Sequence, residues 1–499
     1  MTARARRVVV VGNGMAGFRF VQELLGLGSG FDVTVIGEEP GGAYNRARLP
    51  NVLAGTARAD SVELADEDWY AARGVRVLAG VTACRIDRAR RLVGLTDGPA
   101  VPYDVLVLAT GASAAVPAAG GLAGPGGRGG LPPGAVAFRT LADCAEIRAR
   151  AARAEHAVVL GGGVLGLETA CGLAAGGLPV TLVQRGGRLM ERQLDAGAAR
   201  VLARTVRSLG VAVLTGARVR EVRAAGRVTG IVLGDGRAVG TDLLVLCCGV
   251  RPRTELARAA GLAVGAGVVV DDQMRSITDP AVFAVGDCAE HRGRTYGLVA
   301  PAWAQARAAA RAVAAAAAVV TARGDGAGGD GAGGYAGSPP VVRLKAAGVE
   351  LAVLGSARGG GAEVIRFTDS SRGVYQKLVV RDGRLAGAIL LGDTAAAGTL
   401  TQLFDRGAVL PADRASLLLA RRGAAPAADS PVMIPGHATI CQCNGVTKAA
   451  ICAAWEDGAR SAGEIAARTR ASTGCGTCRD AVEGIAAWLA AAEPGLVPA

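Results

Sequence analysis

The alternation of apolar and polar positions divides roughly the first 300 residues into two similar units. Each unit reads as an apolar run, a glycine-rich turn, an amphipathic stretch and a second apolar run. The segments are RVVVVG, NGMAGFRFVQELLGLG and FDVTVIG over 6–37, and HAVVLGGGVLGLETACGLAAGGLPVTLVQ over 156–184. A further apolar run closes each unit, YDVLVLATGA at 103–112 and TDLLVLCCGVRP at 241–252. Apolar runs joined by helical segments are typical of buried parallel strands with crossover helices. The pattern predicts an α/β fold with two Rossmann-like, dinucleotide-binding domains.

A later apolar run, AVFAVGDCAE at 281–290, predicts that the chain returns to the first domain after completing the second. The second domain is therefore expected as an insertion in the first. We predict that the first domain comprises 1–144 and 266–321 and that the second comprises 145–265.

Beyond these domains the composition changes twice. A glycine-rich, low-complexity segment at 322–340 predicts a flexible linker. Alternating strands at 341–412, with a hairpin turn at Asp382-Gly383, predict a small α+β domain. A Pro- and Ala-rich connection at 413–436 then leads to a helical, cysteine-containing module at 437–499.

Three glycines follow the first strand in the order G-x-G-x-x-G: Gly12, Gly14 and Gly17. In this motif the first glycine permits a tight turn, the second lets a pyrophosphate approach the backbone, and the third lets helix and strand pack closely. The next strand ends at a glycine followed by two glutamates, and a carboxylate there can accept hydrogen bonds from a ribose. We predict this role for Glu38, with Glu39 as the alternative.

The second unit repeats the motif as Gly161, Gly163 and Gly166. Its strand ends at Gln184-Arg185, where an NAD site usually carries Asp or Glu. Without a carboxylate the repulsion of a 2′-phosphate is removed, and an arginine can pair with that phosphate. The strand end therefore favours NADPH. NADH stays open, because Gln184 can still bond a 2′-hydroxyl while Arg185 faces solvent.

Four cysteines lie near the C-terminus in the order C-x-C, 31 residues, C-x-x-C; they are Cys441, Cys443, Cys475 and Cys478. Thiolates at such spacings bind a metal ion or an iron–sulfur cluster. The C-x-C half is unusual for structural zinc, so the spacing favours a [2Fe–2S] cluster and leaves zinc as the alternative. Thr447, and Ser461 with Glu464, predict the starts of two helices in this module.

Charge and composition exclude some partners. The net charge is +12, but the basic residues are scattered and no basic run is interleaved with aromatics, so nucleic acid is not expected. The longest apolar stretch, 308–320, is too short to span a bilayer. Because a strand begins almost at the first residue and the cysteines suit a reducing compartment, we expect no signal peptide and a cytoplasmic location. No C-x-x-C or C-x4-C pair follows the first helix, so no dithiol relay is expected.

Several motifs together resemble the two-dinucleotide-domain flavoprotein reductases: GNGMAG, GEEPGGAYNR, ATGA, GGGVLGLE, VGDCAE and LKAAGVELAVLG. The resemblance is to the FAD/NAD(P)H half of the NAD(P)H nitrite reductase large subunit and to the electron-transfer subunits of assimilatory nitrate reductases. Rubredoxin and ferredoxin reductases are more distant. The C-terminal CQCNGVTKAAI…STGCGTC is similar to the bacterioferritin-associated ferredoxin-like [2Fe–2S] module. In these reductases the residue matching Glu38 binds the FAD ribose.

The resemblance implies FAD in the first domain, NAD(P)H in the second and further FAD contacts. Arg46 would lie near the flavin and its phosphates. Thr110 and Gly111 of the ATG motif would pass close to FAD. Asp287, next to Gly286 in GDC, would hydrogen-bond the ribityl chain of FAD. A carboxylate at the end of a buried strand needs hydrogen-bond donors, and the hydroxyl groups of this polyol supply them.

The expected activity is electron transfer from NAD(P)H through FAD and the cluster to a partner. The chain ends at Ala499 with no further cysteine run for a [4Fe–4S] cluster, so we expect another protein to be the terminal acceptor. The resemblance favours the catalytic subunit of an assimilatory nitrate reductase, followed by a separate nitrite reductase. The alternatives are a rubredoxin or ferredoxin reductase and, from another functional class, a redox or iron sensor. The sequence is compatible with a homodimer but does not specify one.

Overall fold

The computed structural model describes residues 5–28, 30–122, 130–321, 334–344, 346–419, 434–436, 438–441, 444–473 and 478–492. The chain groups into two compact units, of which the first contains 1–47, 58–114 and 250–338 and the second contains the rest. The first unit is thus discontinuous in sequence, as an insertion requires. Within the described residues, none of the helices has the length and apolar character needed to cross a membrane.

Up to residue 152, parallel strands and helices alternate, with short antiparallel strands among them. In chain order the elements are β1 (Arg6–Val11), α1 (Met15–Gly26), β2 (Phe31–Gly37), β3 (Ala43–Tyr44), α2 (Leu49–Leu53), β4 (Glu63–Ala65), α3 (Glu67–Ala71), β5 (Arg76–Ala79), β6 (Ala83–Asp87), β7 (Leu92–Leu95), β8 (Val101–Pro102), β9 (Val105–Leu108), β10 (Ala112–Ala114), β11 (Ala135–Ala137) and α4 (Leu141–Ala151).

The pattern repeats up to residue 321. The elements are β12 (Ala157–Leu160), α5 (Val164–Ala175), β13 (Val180–Gln184), α6 (Ala196–Ser208), β14 (Val211–Thr215), β15 (Val219–Ala225), β16 (Arg227–Leu233), β17 (Ala238–Gly240), β18 (Leu243–Leu246), β19 (Val250–Pro252), α7 (Glu255–Ala259), β20 (Val268–Val270), β21 (Val282–Ala284), β22 (Ala289–His291) and α8 (Val299–Thr321).

In the described residues, the remaining elements are five antiparallel strands with two helices, followed by a two-stranded hairpin with three helices. They are β23 (Val341–Leu344), β24 (Leu351–Gly355), β25 (Glu363–Asp369), β26 (Val374–Arg381), β27 (Arg384–Leu391), α9 (Ala397–Arg406), α10 (Ser416–Leu419), β28 (Thr439–Cys441), β29 (Val446–Thr447), α11 (Lys448–Glu456), α12 (Ala462–Thr469) and α13 (Arg479–Ala492).

The first sheet has the strand order β21-β9-β1-β2-β5, and its pairings are parallel. Its central strand β1 is entirely apolar from Val8 to Val11, and those four side chains are buried. Helices α1 and α8 contribute to the same hydrophobic core. Strand β21 pairs with β9, so the chain returns to this sheet after the insertion, as predicted. The strand order reverses at β1, and in such sheets ligands bind beyond the carboxyl ends of the strands at the reversal.

Two short strands form a ribbon where the chain leaves and re-enters the first unit. Strand β10 pairs antiparallel with β19, from Ala112 opposite Pro252 to Ala114 opposite Val250. The next residues are also joined, because the amide of Ala115 donates to the carbonyl of Gly249 at 2.9 Å. The two connections to the inserted segment therefore run side by side.

The second sheet repeats the design in the order β11-β18-β12-β13-β14, again with parallel pairings. It begins at β11, before the domain boundary at 145 that the sequence suggests. The short β11 joins this sheet only through its pairing with β18, about 110 residues later in the chain. The domain boundaries themselves stay a prediction.

A third, antiparallel sheet has the order β23-β24-β27-β26-β25. Strands β26 and β27 form a hairpin whose turn is Asp382-Gly383, and both turn residues have positive φ. Helices α9 and α10 pack on this sheet, with Leu400 and Leu418 in its core. The C-terminal module has its own core, which helices α11, α12 and α13 share. The α/β class with a small additional domain and a helical module is confirmed.

Candidate cofactor sites

The first glycine loop joins β1 to α1 and leaves no room for side chains at two of its positions. Gly12 has φ +114°, and a Cβ there would overlap the carbonyl oxygen of Ala109. A Cβ at Gly17 would overlap the carbonyl oxygen of Gly12. At Gly14, by contrast, nothing described lies within 4 Å of an added Cβ. The loop therefore presses its helix against the strand and leaves open space beside α1, where a phosphate could reach the backbone amides.

The second glycine loop joins β12 to α5 with the same geometry. Gly161 has φ +113°, and a Cβ there would overlap the carbonyl oxygen of Cys247. A Cβ at Gly166 would overlap the carbonyl oxygen of Gly161, whereas the space around Gly163 is open to 4 Å among the described residues. The first and third glycines of both motifs are therefore sterically required, and the open space at each middle glycine is where a pyrophosphate would approach the backbone.

Both glutamates after β2 are bound to arginines. Glu38 forms an ion pair with Arg253. The Glu39 carboxylate accepts a hydrogen bond from the hydroxyl of Tyr44 at 2.6 Å and pairs with Arg46. Glu39 and Arg46, which the sequence does not link, thus contact each other. A ribose at Glu38 would share the carboxylate with Arg253 or displace it.

The ATG and GDC segments follow neighbouring strands, β9 and β21, and meet at the carboxyl edge of the first sheet. The hydroxyl of Thr110 donates to the carbonyl of Arg253 at 2.8 Å. Gly111 and Gly286 both have positive φ, +69° and +80°. Because Gly12 follows β1, the adjacent strand in the same sheet, the structure brings these three predicted segments together.

Within the GDC turn, Asp287 is half-buried and Cys288 is fully buried. The thiol of Cys288 donates to the carbonyl of Leu108 at 3.3 Å, and burial raises its pKa, so it stays protonated. The amide of Gly286 donates to Oε1 of Gln305 on α8 at 2.8 Å. Gln305 is only 1% exposed. It therefore fixes the turn that presents Asp287.

Arg253 and Gln305 contact predicted site residues but were not themselves predicted from the sequence. Arg253 follows β19 in the segment VRPR, with nothing local that marks it as a partner of Glu38, 215 residues away. Gln305 had a weak signal, since it is a single amide in the alanine-rich helix α8. Buried amides are expected to be hydrogen-bonded, so a glutamine on the buried face of such a helix could have been singled out.

At the end of β13 the side chain of Gln184 is held by its own glycine loop. Its Oε1 accepts a hydrogen bond from the amide of Gly162 at 2.9 Å. Arg185 is exposed. Gln184 is therefore a fixed, neutral side chain at the strand end, and the next residue, Arg185, is an exposed cation.

Two of the four predicted cluster ligands lie in the described part of the C-terminal module. Cys441 ends β28 and is completely buried, and Cys478 immediately precedes α13 and is 7% exposed. The amide of Ser472 donates to the sulfur of Cys478 at 3.2 Å. Cys443 and Cys475 lie outside the described residues. An amide directed at sulfur stabilises a thiolate, so the two described cysteines fit an anionic cluster.

The rest of the module fits the sequence expectation. Thr447 accepts a hydrogen bond from the amide of Ala450 at 3.2 Å and caps α11. Ser461 accepts one from the amide of Glu464 at 3.2 Å and caps α12. Among the described residues no three His, Cys, Asp or Glu side chains are grouped for metal binding, which is consistent with two of the four predicted ligands lying outside them.

Three protein-family models match the chain in succession. Residues 6–311 match pyridine nucleotide-disulphide oxidoreductase, residues 340–408 match the rubredoxin NAD+ reductase C-terminal domain, and residues 439–488 match the BFD-like [2Fe-2S] binding domain. The order of these matches is the order of domains that the sequence predicts, and they support FAD, NAD(P)H and a [2Fe–2S] cluster as cofactors.

Among curated proteins, the nitrite reductase [NAD(P)H] of Bacillus subtilis (strain 168) is 34% identical over 484 residues, which cover 96% of this chain and 57% of that protein. The assimilatory nitrate reductase electron transfer subunit of the same organism is 34% identical over 495 residues, which cover 98% of this chain and 60% of that protein. The chain thus spans about three-fifths of the length of these relatives. Among solved structures, putidaredoxin reductase in its covalent complex with putidaredoxin has a TM-score of 0.72 at 26% identity and covers 84% of this chain and 100% of that one. With the oxidoreductase model matching most of its length, the chain belongs to the pyridine nucleotide-disulphide oxidoreductase family.

Proposed function

We propose that this flavoprotein takes electrons from NAD(P)H and passes them through FAD and a [2Fe–2S] cluster to a separate reductase. The observation that carries the proposal is the repeated glycine loop. Two parallel sheets present loops of matching geometry, each with an open cradle at its middle glycine, and a module with buried cysteines follows them in the same chain. When bound, FAD can accept a two-electron hydride and release single electrons, which is the conversion that a one-electron cluster requires.

In the first site, the glycine loop would hold the FAD pyrophosphate and Glu38 the ribose. Thr110 and Gly111 would lie along the cofactor, and Asp287 would accept hydrogen bonds from the ribityl chain. The buried bond from Gly286 to Gln305 supports this role for Asp287, because it fixes the turn that carries this residue. Arg46, which Glu39 holds, would face the phosphates.

In the second site, Gly161, Gly163 and Gly166 would hold the pyrophosphate of NAD(P)H. The pairing of Gln184 with the amide of Gly162 leaves Arg185 as the side chain placed to meet a 2′-phosphate. NADPH is therefore the preferred donor in this proposal.

The four C-terminal cysteines would bind the cluster and make the module the exit for electrons. In the first 440 residues no two cysteines have C-x-x-C or C-x4-C spacing, so the dithiol chemistry named in the family description has no matching pair there. Replacing Cys478 with Ser should abolish iron binding and the visible absorption of the cluster while FAD stays bound. The matched control is Cys452→Ser, a half-buried cysteine of α11 in the same module, which should keep both. Stoichiometric zinc without iron in the wild-type protein would show the cluster assignment to be wrong.

For the acceptor we propose the catalytic subunit of an assimilatory nitrate reductase, because one relative that matches 98% of the chain is named as an electron transfer subunit of that enzyme. A separate nitrite reductase comes second. We place the activity in the cytoplasm, where cysteine ligands stay reduced. A homodimer stays a prediction.

The test compares a small and a large electron acceptor. Full-length protein and the Cys478→Ser variant should reduce ferricyanide equally with NADPH, because the flavin can reach a small oxidant directly. With the nitrate reductase subunit added, the wild-type protein should support nitrate reduction and the Cys478→Ser variant should not. A truncation that removes the cluster module should stop after Leu419, because Leu418 belongs to the core of the third sheet. Equal nitrate reduction by variant and wild type would show that the cluster is not the exit.

A ferredoxin or rubredoxin reductase is the second candidate, and the fold shared with putidaredoxin reductase favours it. Rapid reduction of an added ferredoxin, with no nitrate reduction when the nitrate reductase subunit is present, would select it. Flavin reduction too slow for turnover would instead select a sensor.

A further inference from the structure

A cavity of about 320 Å³ lies between helix α6 and the edge of the third sheet. Arg200 and Arg204 line it from the helix, and Arg366 lines it from β25. Thr368, Ser370 and Tyr375 supply hydroxyl groups. None of the lining residues belongs to the second glycine loop or to the Gln184-Arg185 strand end, so the cavity is separate from the proposed NAD(P)H phosphate contacts.

Three positive side chains face this cavity. Arg200 and Arg204 are four residues apart and occupy the same face of α6, an arrangement of like charges that destabilises a helix. Arg366 adds a third positive charge from the opposite wall. Among the described residues no carboxylate forms an ion pair with any of the three. The nearby Asp195 is already bound by Lys377, whose Nζ lies 2.9 Å from its carboxylate.

The floor of the cavity is fixed. Tyr375 is 2% exposed, and its hydroxyl donates to Asp195 at 2.7 Å. Arg366 lowers the pKa of this hydroxyl, but by less than burial and Asp195 raise it. A Cβ at Gly197 would lie 2.8 Å from the Tyr375 ring, so the glycine in the first turn of α6 lets the ring lie beneath the helix. Burial, followed by the hydrogen bond to Asp195, raises the pKa of Tyr375 to about 12, which keeps the hydroxyl protonated.

We propose that this cavity binds a small, multiply charged anion that carries a phosphate group. Guanidinium groups bind phosphate oxygens with paired hydrogen bonds, and three of them converge here on a space larger than a single phosphate requires. The hydroxyls of Thr368 and Ser370 add neutral donors. Bound there, the anion would connect α6 to β25 and cancel the repulsion between the arginines. Such a ligand would bind whether or not the chain passes electrons to a nitrate reductase.

The test is isothermal titration of the full-length protein, saturated with FAD and NADP⁺ so that both glycine loops are occupied. The probes are inorganic phosphate, pyrophosphate and AMP at constant ionic strength. We expect one site per chain. The Arg200→Ala/Arg204→Ala double variant and the Arg366→Ala variant should each weaken binding about tenfold or more. Arg207→Ala, which removes a charge from the same helix outside the cavity, is the matched control and should bind like wild type.

The probes distinguish the source of the phosphate group. Tighter binding of AMP identifies a nucleotide ligand, whereas equal or tighter binding of phosphate or pyrophosphate identifies a free phosphate species. The arginines are exposed, so the variants should fold, and Arg366→Ala tests the site independently of the helix. Three results would each overturn the proposal, and the first two are no binding by the wild type at millimolar probe and undiminished binding by the double variant. Nitrate binding as tightly as phosphate would do the same, because it would show attraction to charge alone.

Discussion

Replacing Gln184 with Glu should move the preference of the protein from NADPH toward NADH. The two side chains have the same shape, and a carboxylate can accept the hydrogen bond that Oε1 now takes from the amide of Gly162. The glycine loop should therefore keep its conformation. The substitution adds one negative charge at the strand end, beside the place where a 2′-phosphate would meet Arg185.

The size of the change in nucleotide preference depends on how far Gln184 and Arg185 are exposed to solvent. A hydrogen bond to a charged group, such as one from Arg185 to a 2′-phosphate, contributes about 1.5–3 kcal/mol, and we take the repulsion added by the glutamate to be of similar size. Gln184 is half-buried and Arg185 is exposed, so solvent weakens the interaction and the lower value applies. About 1.5 kcal/mol corresponds to roughly a tenfold change in kcat/KM for NADPH relative to NADH.

The assay is steady-state ferricyanide reduction with each nucleotide. Gln184→Met, which removes the acceptor without adding charge, should affect both nucleotides equally, and Arg185→Ala should weaken NADPH alone. A wild-type protein with a strong preference for NADH would refute the reasoning. So would a Gln184→Glu variant that loses activity with both nucleotides to the same extent, since that would indicate a distorted loop.

Other substitutions test steric fit, a partly buried ion pair and a surface carboxylate. Gly17→Ala should abolish FAD retention, because the added methyl group overlaps a backbone carbonyl, whereas the control Gly14→Ala should fold normally. The measurement is the flavin content after gel filtration. A yellow Gly17→Ala protein would contradict the close packing of α1. Lys377→Met should lower the free energy of unfolding by about 2 kcal/mol, since it leaves the half-buried carboxylate of Asp195 without its cation. Urea titration measures the change, and a loss below about 1 kcal/mol would mean that the pair contributes little. Hydrogen bonds from Arg292 and then from His291 lower the pKa of Asp272 to about 2. The ionised carboxylate therefore stabilises the fold above the ordinary aspartate pKa, and this contribution is lost as the pH falls from about 4 toward 2. Asp272→Asn should therefore be less stable than wild type at neutral pH and approach it at pH 2 in thermal melts, and a difference independent of pH would contradict the assignment.

Features set by short stretches of chain were predictable. The glycine loops, the Asp382-Gly383 hairpin and the capping residues of α11 and α12 each depend on a few neighbouring residues, and the structure has them where the sequence places them. Their physical basis is local, since positive φ, a close backbone approach or a single side-chain cap decides the conformation.

Features that depend on distant partners were not predictable. Nothing near Glu38 indicates that Arg253 will neutralise it, and nothing near Arg200 indicates that Arg366 will face it. Strand β11 has three residues and gains its place in the second sheet only by pairing with β18. In each case the partner is brought in by tertiary packing that no local pattern encodes.

The ribbon of β10 and β19 has a consequence for the order of folding. Closing a flexible loop of the 135 residues from 115 to 249 costs about 4 kcal/mol of chain entropy. If that segment folds first, its own bond from Ala115 to Gly249 already holds its two ends together, and the remaining strands of the first sheet meet as if joined by a short turn. The last strand to arrive, β21, then docks on β9 without that entropic cost. The inserted segment would thus act as a folding nucleus for the domain that surrounds it in sequence.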